Sequence, residues 1–198
     1  MKSKFYNVVL FFTLSLFILM FSCAKQDLGV LVKNYEQAYN SHDLEKIMSF
    51  YADDIKFEVV DVVELSGKVE VKGLIEFEIT LNNQLMFENI KVRGDSAICD
   101  LTENNDWLKA MDIEAAHYSP TIFIFKDGLI QQIKATEIPE TMDAKSSAVK
   151  AIMEWASENK PEKLKEMMPE GKFVYNATNA KEIIDLIDEW KEAVKEKE

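Results

Sequence analysis

Apolar positions along this chain change rhythm several times, and each rhythm predicts a different element. Leu28, Leu31, Val32, Tyr35, Ala38 and Tyr39 recur at three- and four-residue spacings, which places them on one face of a helix. Asn40-Ser41 ends it, and Asp43 caps a shorter helix carrying Leu44, Ile47, Met48 and Tyr51. After the Asp53-Asp54 turn, residues 55–63 alternate and are β-branched, the pattern of one strand. Residues 69–82 return to the helical period through Leu74, Phe77, Glu78 and Leu81, behind Gly73. Strands are expected at 85–92, 97–101 and 118–125. Asp127-Gly128 then turns the chain into a last strand at 129–138, which Pro139 ends. An antiparallel sheet of this kind must bury its apolar face against the helices, so the expected class is α+β.

Beyond Pro139 the pattern is helical. Val149, Ile152, Met153, Trp155 and Ala156 form one stripe, and Pro161 opens a second helix holding Leu164, Met167 and Met168. Phe173-Val174-Tyr175 reads as a short strand. Asn179 with Glu182 looks like a capping box ahead of Ile183, Ile184, Ile187, Trp190 and Val194. The words at 39–47 and 155–164 echo one another, as do Phe57-Glu58-Val59 and Phe173-Val174-Tyr175. The tail is therefore either a partial copy of the first half or an ordinary set of amphipathic helices. Either way, residues 140–198 are expected to pack as a helical extension on a domain at 28–139.

The first 22 residues carry Lys2 and Lys4, no acid, and a mostly apolar run from Phe5 to Phe21, the plan of a secretory signal. Leu19-Met20-Phe21-Ser22-Cys23 resembles the lipobox of bacterial lipoproteins, which implies acylation of Cys23, a tether at 23–27 and an extracytoplasmic place on the cell envelope, held by the lipid. The same residues also fit an uncleaved signal anchor. Acylation of Cys23 would leave Cys99 alone, as a buried small hydrophobe.

Charge narrows the partners. There are 35 acidic against 23 basic residues, a net charge of −12. Loss of Lys2 and Lys4 with the signal would take that to −14. Arg93 is the single arginine, and such a chain lacks the basic face that nucleic acid requires. No His, Cys and carboxylate cluster has metal-ligand spacing, so neither metal nor cofactor is expected.

Three stretches then point to a family. Residues 35–44 followed by Phe50-Tyr51-Ala52-Asp53-Asp54 resemble the opening of the SnoaL-like branch of the nuclear transport factor 2-like superfamily. So do residues 102–108 and Phe123-Ile124-Phe125-Lys126-Asp127-Gly128-Leu129-Ile130. The resemblance implies a cone, in which a curved sheet wraps a long helix around an apolar pocket. It also implies a pocket lined here by Tyr35, Tyr39, Phe57, Val59, Asp61, Trp107, His117, Ser119, Thr121 and Phe123. Matched to ketosteroid isomerases of this superfamily, the tyrosine falls on Tyr35, the base aspartate on Val59 and the oxyanion-hole aspartate on Thr121. A valine takes no proton and a threonine is no acid, so that reaction is disfavoured.

The remaining catalytic candidates are Tyr35, from that match, Asp61, counted onto the face of Val59, and His117, counted back by twos from Thr121 through Ser119. His117 alternatively lies at the start of its strand and points to water. His42 reads as a solvated neighbour of a helix cap. Trp107, Leu108 and Met111 either cover the cone mouth or pack in the core. Three functions are thus open. The first is non-catalytic binding of a small apolar molecule or a protein partner. The second is an isomerase, lyase or cyclase using Asp61 and His117. The third is a structural envelope module with a filled cone, whose extension makes a homodimer face.

Overall fold

The protein is described by a computed structural model over residues 27–196. The signal-like stretch and Cys23 lie outside the described residues. Helix α1 (Leu28–Asn40) starts where the Asp27 side chain accepts from the backbone N–H groups of Gly29 and Val30, and it buries the periodic face read from the sequence. Helix α2 (Leu44–Met48) is capped by Asp43.

Strand β1 (Tyr51–Val59) does not run on to Val63 as expected. The chain reverses at residues 60–62, with Asp61 at φ +61°, and returns as β2 (Val63–Ser66), placing Val63 opposite Val59. Aspartate tolerates this left-handed conformation, so an alternating β-branched run can hide a turn. Helix α3 (Lys68–Thr80) follows, then β3 (Gln84–Arg93), β4 (Ser96–Asn104), the short α4 (Asp106–Ala110), β5 (Ala116–Lys126) and β6 (Leu129–Glu137).

The six strands form one curved sheet in the order β2-β1-β6-β5-β4-β3. It is mixed rather than wholly antiparallel, because β1 runs parallel to β6 while every other pair is antiparallel. The chain between them is long enough for a crossover, which parallel neighbours require.

After Pro139 come α5 (Pro139–Asn159), α6 (Pro161–Met167) and α7 (Ala177–Lys195). The strand expected at Phe173-Val174-Tyr175 does not pair with the sheet; the segment is extended and lies against α3. Nor does α7 start at Asn179. Asn176 is the cap, accepting from the Asn179 N–H at 2.8 Å, and the Asn179 side chain turns back to donate to the Val174 carbonyl at 2.7 Å. Two asparagines competed for one cap, and the earlier one is extended enough to take it.

The main core gathers α1 and the sheet around the fully buried Tyr35, Tyr51 and Phe123. A second core joins Leu108, Met111, Tyr118 and Ala135 to Ile152, Ala156, Leu186 and Ile187 of the extension. A third sets Phe77 of α3 and Leu81, just past its end, against Ala180, Phe173 and Tyr175. The extension thus closes the end of the cone that the sheet leaves open. Among the described residues no helix is long and apolar enough to cross a membrane.

Candidate functional site

The inner face of the sheet, α1, α3 and the extension enclose a cavity of about 550 Å³. Phe57, Val59, Leu101, Phe123, Ile133 and Ala135 form the sheet wall, and Tyr35 and Tyr39 lie on the α1 side. Val149, Ile152, Met153, Leu164, Met167 and Phe173 close it from the extension. The volume is in the range of small-molecule sites, roughly 300–1,000 Å³, and the walls are mostly apolar as such sites are.

The structure sorts the residues named from sequence. Tyr35, Tyr39, Phe57, Val59, Asp61, Trp107, Thr121 and Phe123 all line the cavity. His117 and Ser119 do not. Strand β5 has a bulge between Tyr118 and Thr121, so counting by twos fails there and Tyr118, not His117 or Ser119, points inward. His117 is exposed, with Nδ1 3.1 Å from the Thr102 hydroxyl. Ser119 donates to Asp100 on the outer face at 2.6 Å, and with Asn89 it holds that carboxyl below the usual range. Asp61 sits exposed in the β1–β2 turn at the rim, and no hydrogen bond joins it to His117 or Tyr35 among the described residues. The acid–base pair of Asp61 and His117 is therefore not assembled.

Tyr35 is committed elsewhere. Its hydroxyl is 2.6 Å from that of Tyr51, deep among Tyr39, Phe50, Phe87 and Phe123, and burial pushes both phenols up. Cys99 is a buried free thiol, raised to about 12 by burial. Among the described residues no three His, Cys, Asp or Glu side chains converge as metal ligands.

What the sequence did not single out is a polar seam along the cavity. Tyr39 donates to Glu78, and the buried Asn83 reaches the Tyr39 hydroxyl at 3.4 Å. Asn105 donates to Glu103 at 2.9 Å, and the Tyr118 hydroxyl donates to the other Glu103 oxygen at 2.8 Å. Lys145 of α5 donates to the Tyr118 hydroxyl at 3.4 Å and stands 2.8 Å from the Glu137 carboxylate. Burial first, and the charge of Glu103 second, push the Glu78 carboxyl well above the ordinary range. It can therefore donate a proton or a hydrogen bond into the cavity that it lines.

A signal for Glu78 was present, since it interrupts an otherwise apolar helical period. Glu103 and Asn105 lie in the word at 102–108 but carried no parity clue. Glu137 and Lys145 needed the tertiary structure, because they meet across β6 and α5.

Neither a protein-family model nor a curated protein matches the sequence. Solved structures do match in shape. SalBIII, an epoxide hydrolase/cyclase-like enzyme in pyran ring formation in the polyether salinomycin, superposes with a TM-score of 0.51 at 13% identity, over 57% of this chain and 92% of its own. The fold is the nuclear transport factor 2-like cone. An LEH-like epoxide hydrolase of M. tuberculosis matches at a TM-score of 0.49 and 14% identity, over 62% of this chain and 92% of its own. An NTF2-like protein from Cytophaga hutchinsonii matches at 0.47 and 10%, over 57% and 90%. Identities this low speak for the cone alone, a fold that does not fix a reaction.

Proposed function

We propose that this protein binds a small, largely apolar molecule inside its cone, without turning it over, while Cys23 tethers it to the outer side of a membrane. One observation supports the binding: the cavity of about 550 Å³ is walled by apolar side chains that do not fill it. A cone serving only as structure would be packed to the density of other protein interiors, which leave few voids larger than a water molecule. Binding without turnover accords with Val59 and Thr121 at the two aspartate positions, and with the separation of Asp61 from His117.

The test uses Nile red, an uncharged dye that brightens in apolar surroundings, with the chain from Ala24 onward, which keeps every described residue. Saturable one-to-one binding is expected, and Ala135→Trp, which places a large ring in the cavity, should abolish it. Circular dichroism on the variant shows that it folds. Absence of saturable binding, or binding indifferent to Ala135→Trp and equally to Val59→Trp, would overturn the reading.

A further inference from the structure

The apolar walls say only that the ligand is apolar; the polar end of the cavity says more. Where β5, β6 and α5 meet, two buried side chains face the cavity with hydrogen-bonding capacity unused. Thr121 is fully buried and its hydroxyl has no partner. Glu137 is 5% exposed, and neither of its carboxylate oxygens accepts a hydrogen bond. Lys145 is ion-paired with Oε2 at 2.8 Å, which leaves Oε1 and the Thr121 hydroxyl without any partner. The Lys145 ammonium lies 5.8 Å from the Trp107 ring and 5.6 Å from the Tyr118 ring, and it donates to the Tyr118 hydroxyl. Buried acceptors without donors are rare in folded proteins, because each forfeits the hydrogen bonds it had in water. These two sit on one wall: Glu137 is in register with Tyr118, and Thr121 with Ala135 two residues along β6.

Charge gives the sign of the missing group. Glu78, Glu103 and Glu137, with Asp61 at the rim, line the cavity against one lysine, Lys145. Even with Glu78 protonated and Asp61 set aside, two carboxylates face a single ammonium. An anionic ligand would meet Glu103 and Glu137 in a low-dielectric space, where like charges repel strongly. A cationic head supplies donors to Glu137 and balances the seam. The net charge of −12 over the whole chain favours the approach of a cation as well.

We propose that the ligand of this cavity is an apolar molecule with a cationic, hydrogen-bond-donating head, an alkyl or ring ammonium, seated against Glu137 and Thr121. This rests on the cavity being a ligand site, and the experiment separates the two claims. Decylamine, decan-1-ol and decanoate share one chain and differ in the head, and each is titrated against bound Nile red. Decylamine should displace the dye at a concentration lower than decanol by about tenfold, the factor that one charge-assisted hydrogen bond supplies. Decanoate should be the weakest. Glu137→Gln should bring the decylamine-to-decanol ratio toward one, and Thr121→Val, close in shape, should reduce it in a protein that keeps its carboxylates. Decanoate equal to or better than decylamine would overturn the proposal, as would a ratio unchanged in both variants. Failure of the dye to bind would strike the binding reading itself, whereas dye binding with no preference among heads strikes only the ammonium.

Discussion

Replacing Gly73 by alanine sets two rules against each other. Gly73 lies inside α3, where alanine is ordinarily the better helix former by about 1 kcal/mol. A Cβ added there would stand 2.7 Å from the Tyr175 carbonyl oxygen and 3.8 Å from its carbon. Carbon and oxygen atoms in contact sit at about 3.3 Å or beyond, so backbone must move by roughly half an ångström or more. The segment that would move is tied down: the Val174 N–H donates to the Met167 carbonyl at 3.1 Å, and Asn179 donates to the Val174 carbonyl at 2.7 Å. Phe77 also packs edge-on against Tyr175, with ring centroids 5.4 Å apart. Overpacking of this kind typically costs about 1–3 kcal/mol, which outweighs the helix gain. Gly73→Ala should therefore lower stability by up to about 2 kcal/mol, read as an earlier midpoint in urea with an unchanged slope. Nile red affinity should fall with it, since Phe173 and Tyr175 line the cavity. A variant more stable by about 1 kcal/mol would show that α3 behaves as a free helix and that the extension is not pressed against it.

Cys23→Ala should move the protein from the membrane to the soluble fraction or leave an uncleaved precursor, because each acyl methylene contributes about 0.8 kcal/mol of membrane affinity; unchanged processing and fractionation would refute the tether. Glu78→Gln should alter how stability depends on pH. The folded carboxyl holds its proton above the unfolded value of 4.5, so the stabilisation is fully present below that pH and is lost as pH rises through the folded value. Relative to the glutamine variant, the native protein should lose about 1.4 kcal/mol per pH unit across that window, and parallel urea midpoints from pH 4 to 8 would contradict the burial of Glu78.

Much of the cone was legible because its signals are local. The α1 stripe, the Asp43 cap, the Asp127-Gly128 hairpin and the stop at Pro139 each follow from a few neighbouring residues. What escaped was decided by departures from regular counting. Val60-Asp61-Val62 alternates like a strand yet turns, and the β5 bulge exchanges Tyr118 for His117 and Ser119 on the inner face. Either shift redirects a catalytic candidate, because parity alone assigns a strand residue to its face. The carboxylate seam escaped for another reason. Glu78, Glu103 and Glu137 come from three elements, and their convergence is a property of the cone rather than of any segment.

The extension and the seam depend on each other. Glu137 is the last residue of β6, on the inner face, where a carboxylate without a counter-ion would be strongly unfavourable. Lys145 supplies that counter-ion from α5, and α5 begins two residues after Glu137. A cone ending at Pro139 would leave Glu137 at an open mouth, free to hydrate and with no reason to select a ligand head. With α5 packed there the same carboxylate is buried and paired with one ammonium. The extension therefore does more than add apolar area: it buries a strand-end glutamate and pairs it with Lys145, from the helix that immediately follows it in the chain.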